Sequence, residues 1–168
     1  SRFGDHDAFM VGQHLSHHDL LTAQIDALTA RIEEVMSPFR VYRELLTTIP
    51  GIGEATADVI IAETGGNMST FPTAGHLASW AGVTPGMNES AGRRKSTATR
   101  PGNRYLKEAL GNAANSAGRN PDTHLGRRHR RIAARRGKMR ALVATEHALL
   151  TAIWHMLSRG EAFTDLKP

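Results

Sequence analysis

The chain has 168 residues, enough for one domain with a real core or a small domain plus an appendage. It has no cysteine, which excludes a disulfide framework and a thiolate metal site, and its 5% aromatic content is too low for a broad base-stacking platform. No eighteen-residue apolar run and no secretory signal is visible, so no membrane span is expected. The net charge of +5 and pI near 10.2 conceal a sharp segregation. Residues 1–92 carry four Lys/Arg against eleven Asp/Glu, whereas residues 93–140 carry fifteen against two. Such segregation is the footprint of a surface that binds a polyanion, with a merely solvated basic face as the bland alternative.

The chain opens on Ser1 rather than Met, as a segment cut from a longer protein would. Residues 1–13 show no period and are expected either to fray or to continue a preceding element. From about Ser16 a helix is predicted, with Leu21, Ile25, Leu28, Ile32 and Val35 in the 4-3-4-3 spacing of an a/d seam. Two readings stand: a coiled-coil arm that pairs subunits, or an amphipathic helix laid on the core. His14 and His18 share the i,i+4 spacing of two zinc ligands, but no third ligand lies nearby. They are read with His17 as surface histidines, and no metal site is expected.

Ser37-Pro38 breaks the pattern, and residues 1–40 are taken as the arm and 41–168 as the main domain. Phe39 to Thr48 resumes as a helix, followed by Ile49-Pro50-Gly51-Ile52-Gly53 and a second helix, Glu54 to Thr64. This reads as a helix–hairpin–helix. Gly51 and Gly53 would let the turn approach an anion closely, so that backbone N–H groups and the next helix's N-terminus grip one phosphate without reading bases. The alternative is that the turn serves only packing. Gly65-Gly66 stops that helix, and Thr70-Phe71-Pro72-Thr73 opens a further helix with Leu77, Trp80 and Ala81 as its buried side.

Residues 82–103 (GVTPGMNESAGRRKSTATRPGN) have no helical period and are predicted as an extended or hairpin-like loop. A loop of that length in a compact domain is usually functional or disordered. Ser90 lies within it among small residues, just before Arg93, Arg94 and Lys95. A hydroxyl flanked by forked cationic donors suits a nucleophile meeting a phosphodiester. A flexible basic loop with an idle serine is the other reading, and Ser96 is an in-loop competitor. Asn103 then caps a helix from Arg104 to Ala117, whose alanines at 109, 113, 114 and 117 suggest close packing. Asp122 is expected to cap a helix from Thr123 to Arg136 that is basic around most of its circumference. A long final helix, Lys138 to Leu157, carries an apolar stripe from Met139 through Leu142, Val143 and Leu149 to Leu157, read as core. His147 and His155 have no identifiable catalytic partner, and the tail from Gly160 is expected to be irregular. The predicted fold class is all-α, about seven helices around one long functional loop. Arg100, Arg104, Arg127, Arg128, Arg130, Arg131, Arg135 and Arg136, with Arg93, Arg94 and Lys95, are the candidate nucleic-acid contacts.

Four stretches taken together are more specific than any part: IPGIGEATADVIIAETG (49–65), FPTAGHLASWAGVTPGMNESAGRRKS (71–96), RPGNRYLKEALGNAA (100–114) and RRGKMRALVATEHALLTAIWHML (135–157). Over about residues 15–165 the chain resembles the C-terminal domain of bacterial insertion-sequence transposases that join a RuvC-like DEDD domain to a serine-bearing domain and are guided by a bridge RNA. By position, the resemblance places the family's serine on Ser90. It implies a DNA transposase or recombinase that cuts and rejoins DNA through a covalent phosphoserine. It further implies DNA and guide RNA as partners, a dimer or tetramer, and a bacterial cytoplasmic, nucleoid-associated location. Mg²⁺ is expected in the RuvC-like domain rather than here. Without that domain the fragment is expected to bind but not to recombine. The rival readings are a non-catalytic DNA- or RNA-binding module and a pure assembly element.

Overall fold

The computed structural model describes residues 4–85, 88–90, 93–96 and 98–165, with side chains for all of these except 88–90 and 93–96. The chain divides into two compact units, Ser1–Pro38 and Phe39–Pro168.

The first unit is one helix, α1 (Asp5–Met36), about 48 Å long at 1.5 Å per residue. It starts well before the predicted Ser16, so of the two expectations for residues 5–13 the ordered one holds and they do not fray. The Gly4 N–H donates to the Asp7 carboxylate at 2.9 Å, and Asp5 and Asp7 complement the positive end of the helix dipole. That local capping supplies what apolar period does not. The seam positions Leu21, Ile25, Leu28, Ile32 and Val35 are each 44–65% exposed.

The second unit is all-α apart from one short hairpin. A 3₁₀ turn at Ser37–Phe39 leads into α2 (Arg40–Thr47), and the turn 48–53 leads into α3 (Glu54–Thr64). Ile49 and Ile52 are buried in the angle between these helices. The Arg43 guanidinium donates twice to the Asp58 carboxylate, both at 2.7 Å, and clamps α2 to α3. Helix α3 ends at Gly65 in the left-handed region. A 3₁₀ turn (Met68–Thr70) precedes α4 (Ala74–Trp80), which starts at the end of the predicted opening Thr70–Thr73, where the Thr73 hydroxyl caps it by accepting from the His76 N–H. Trp80 is not core: Leu77, Ala78 and Ala81 occupy the buried face, and the indole is 40% exposed, packed on Phe71 at 5.3 Å between ring centroids.

Next come two antiparallel strands, β1 (Asn88–Ser90) and β2 (Arg93–Ser96), then α5 (Arg104–Arg119), α6 (His124–Arg136) and α7 (Lys138–Arg159). Asn103 caps α5 by accepting from the Leu106 N–H at 2.9 Å. Helix α6 is capped by Thr123 rather than Asp122: its hydroxyl accepts from the Gly126 N–H, while the Asp165 carboxylate accepts from His124 N–H. The tail is therefore irregular but anchored, with the Phe163 N–H also donating to the Thr48 hydroxyl.

Helix α7 is central and packs against α2, α4, α5 and α6. Leu46, Ile60, Leu77, Leu110, Leu149, Leu150 and Ile153 are fully buried around it, each contributing about 1.5–3 kcal/mol from apolar burial. The α7 stripe is only partly core. In the first turns the buried line runs through Ala141 and Thr145, so Leu142 and Val143 are half-buried and Met139 is 72% exposed. The alanines of α5 serve close helix packing. A Cβ at Gly51 would lie 2.5 Å from the Ala113 carbonyl oxygen and 2.8 Å from the Ala117 nitrogen, so only glycine lets this turn touch α5.

Candidate nucleic-acid interface

The 82–103 excursion leaves the helical body through a narrow neck. Gly82 and Gly102 are both left-handed, and a Cβ on either would meet the other's backbone within 3 Å. Above the neck Pro85 bridges Thr99, and then β1 and β2 pair, with Ser90 the Cα partner of Arg93 and Glu89 that of Arg94. The Lys107 ammonium on α5 donates to the Thr99 hydroxyl at 3.0 Å and the Arg100 carbonyl at 3.3 Å, pinning the returning arm to the body. Predicted contacts Arg93, Arg94 and Lys95, the serine Ser90 and its competitor Ser96 lie on this hairpin, and their side chains fall outside the described residues.

Beside the hairpin's foot is a cleft of about 580 Å³. Val83, Pro85, Ala98 and Thr99 form one wall, and α6 and α7 form the other. Arg128, Arg136 and Arg140 rim it, and Met139, Val143 and Ala144 supply much of the remaining surface. Two helices deliver these arginines to one mouth because Gly137, at φ +86, turns the chain sharply between α6 and α7. His147 also lines the cleft. Burial first, and the Arg128 guanidinium second, hold its pKa below the ordinary imidazole value, so it is a neutral donor and acceptor at neutral pH.

The other predicted contacts scatter. Arg131, Arg135 and Arg136 surround a smaller hollow of about 160 Å³. Arg127 donates to the Asp122 carbonyl at 2.7 Å and braces its own helix. Arg130 is exposed on α6, Arg104 is exposed at the start of α5, and Arg100 is exposed on the hairpin's returning arm before it. Helix α6 is less uniformly basic than its sequence reads, since Leu125 and Gly126 are buried and the half-buried His129 ring hydrogen-bonds the Thr145 hydroxyl at 3.1 Å. At the α2–α3 turn the glycines differ. Gly51 faces α5, whereas Gly53 is open, with nothing within 4 Å of where a Cβ would stand and no side chain capping α3. The amides of α3's first turn thus face outward at Gly53.

Sequence reasoning did not bring Arg140, Met139 and His147 together as parts of one site, and passed over Lys107 as the residue that pins the hairpin's returning arm. Arg136 and Arg140 are i,i+4, but the intervening Gly137 hides that signal. Glu146 was also passed over. Its carboxylate is 4% exposed, with one oxygen lacking a hydrogen-bond partner. Burial pushes its pKa up, and Lys107 pulls it partly back.

The model of the "Transposase IS116/IS110/IS902 family" matches residues 43–130, more than half the chain. The chain belongs to this transposase family. The match runs from α2 through the hairpin into α6, while Arg136, Arg140 and His147 lie beyond it. The chain is also 42% identical over 91 residues to the insertion element IS110 43.6 kDa protein of Streptomyces coelicolor. That alignment covers 54% of this chain and 20% of the relative, so this transposase-family segment corresponds to about a fifth of the longer protein. Among the described residues no helix is long and apolar enough to cross a membrane.

Proposed function

We propose that this chain is the serine-bearing domain of an RNA-guided DNA transposase that cuts and rejoins DNA through a phosphoserine at Ser90. The observation supporting this most directly is the family match, which includes Ser90 on an antiparallel excursion rooted beside an arginine-rimmed cleft. Ser90 Oγ attacks a DNA phosphorus and loses its proton, the P–O bond to one deoxyribose oxygen breaks, and that oxygen leaves as a hydroxyl after protonation. A strand hydroxyl then attacks the phosphoserine and releases Ser90, so the phosphodiester's energy is conserved and no nucleotide triphosphate is needed. Arg93, Arg94 and Lys95 stand next along the chain to stabilise charge on the phosphorane. The α3 N-terminus at Gly53, read as the second half of a helix–hairpin–helix, and the α6 arginines hold backbone phosphates of DNA or guide RNA.

Mg²⁺ is assigned to a RuvC-like domain outside this chain, and the isolated chain is assigned binding without recombination. The exposed α1 seam is assigned to a second copy, and the working location is the bacterial cytoplasm at the nucleoid. The test is a suicide DNA substrate offered to the longer protein with its guide RNA. Wild type forms a covalent protein–DNA adduct and Ser90→Ala forms none. An adduct that survives Ser90→Ala, or moves with Ser96→Ala, refutes the assignment. Salt-sensitive binding with no adduct in any form leaves a binding module.

A further inference from the structure

The cleft beside the hairpin's foot combines two features that backbone contact does not require together. Phosphate gripping needs only cations and amides. Here three guanidinium groups from two helices rim a recess lined largely by Val83, Val143, Ala144 and the Met139 thioether. Met139 is 72% exposed between Arg136 and Arg140, an apolar side chain in the most basic part of the surface. The volume of about 580 Å³ falls within the roughly 300–1,000 Å³ of small-ligand sites. A ligand matching this has a flat, apolar-faced body with an anion attached.

We infer that this cleft receives a single unstacked nucleotide of the bound nucleic acid, its base lying against Val143, Ala144 and Met139 and its flanking phosphates held by Arg128, Arg136 and Arg140. The inference rests on the nucleic-acid reading above and deepens it, giving Arg128 and Arg136 of α6 one particular nucleotide to hold. Unstacking costs a few kcal/mol and is cheapest where a base is already unpaired, so the site selects distorted or exchanging strands over intact duplex. His147, neutral in the cleft wall, offers one donor and one acceptor to a base edge without adding a fourth charge. Of the charged or titratable groups around it, Arg128 and Arg136 come from α6, and Arg140 from its own helix.

The test uses the full 168-residue chain and two labelled DNA duplexes, one fully paired and one with a single bulged 2-aminopurine, plus a matching RNA bulge. Wild type binds the bulged DNA at least tenfold more tightly than the paired duplex, and 2-aminopurine fluorescence rises on binding as the base leaves its stack. Ala144→Trp, which fills the recess, and Met139→Glu, at a position too exposed to affect folding, both bring the bulged-to-paired affinity ratio close to one. A preference for the RNA bulge over the DNA bulge identifies the guide as the source of the nucleotide, and the reverse identifies the target. Equal binding of bulged and paired duplexes by wild type, with unchanged fluorescence, overturns the inference while leaving the nucleic-acid reading intact. Failure to bind any duplex at low salt overturns both. Loss of self-association in Ala144→Trp with an unchanged affinity ratio gives the cleft to a second copy of the chain instead.

Discussion

The two glycines of the α2–α3 turn have opposite surroundings, and substituting each separates packing from phosphate binding. At Gly51 the backbone sits at φ +97, where an L-residue costs about 1–2 kcal/mol. A Cβ there also meets α5 backbone atoms at 2.5 and 2.8 Å, which cannot rotate away, adding about 1–3 kcal/mol of overpacking. Gly51→Ala is therefore expected to cost about 2–5 kcal/mol. For the unit spanning Phe39–Pro168, a loss of about 3 kcal/mol lowers Tm by about 10 °C. Gly53, at φ −96 with open space beside it, accepts any side chain. Gly53→Asp caps α3 and faces its positive end, which stabilises the fold by a few tenths of a kcal/mol to about 1 kcal/mol. The same carboxylate occupies the amides offered to a phosphate and repels it, so duplex affinity falls about tenfold, or about 1.4 kcal/mol. Differential scanning calorimetry and fluorescence anisotropy at fixed salt read the two effects separately. A wild-type Tm in Gly51→Ala refutes the close approach of the turn to α5. Unchanged duplex affinity in Gly53→Asp refutes the phosphate grip at α3.

Burial raises the Glu146 pKa in the folded state, so its contribution to stability is fully present below the unfolded carboxylate pKa and is lost as pH rises through the folded one. Glu146→Gln is expected to stabilise the protein by about 1 kcal/mol at pH 8 and by much less at pH 4, read as Tm against pH; an equal gain at both would show that the carboxylate is not buried in charged form. Leu28, 65% exposed at the centre of the α1 seam, is expected to face a second copy, so Leu28→Glu should convert a concentration-dependent dimer into a monomer in sedimentation equilibrium without changing Tm of the second unit; identical profiles for both proteins would remove the seam's assigned role.

What could be read in the chain itself was whatever is signalled by neighbours in sequence. The limits of α3 follow from Gly53 before it and Gly65-Gly66 after it, and the start of α5 follows from Asn103. Where a cap is made by an unremarkable residue, the boundary was missed: Gly4 with Asp7 starts α1, and Thr123, not the more obvious Asp122, starts α6. Apolar character alone misplaced Trp80 and Met139, because a helix of given composition can turn either residue outward once smaller neighbours fill the buried line. The cleft was invisible for a further reason. Its arginines come from two helices whose relation depends on the backbone at Gly137, and its apolar wall comes from a segment with no period of its own. Charge segregation located the region but not which side chains converge.

The glycine neck at Gly82 and Gly102 has a mechanical consequence. With backbone against backbone below and the Lys107 ammonium fastening Thr99 and Arg100 above, the hairpin is an outrigger bolted at its root. Because Gly102 runs directly into the Asn103 cap of α5 and Lys107 stands on that helix, a load on the hairpin reaches the packed helices through α5. A single methyl at either glycine would loosen the whole limb.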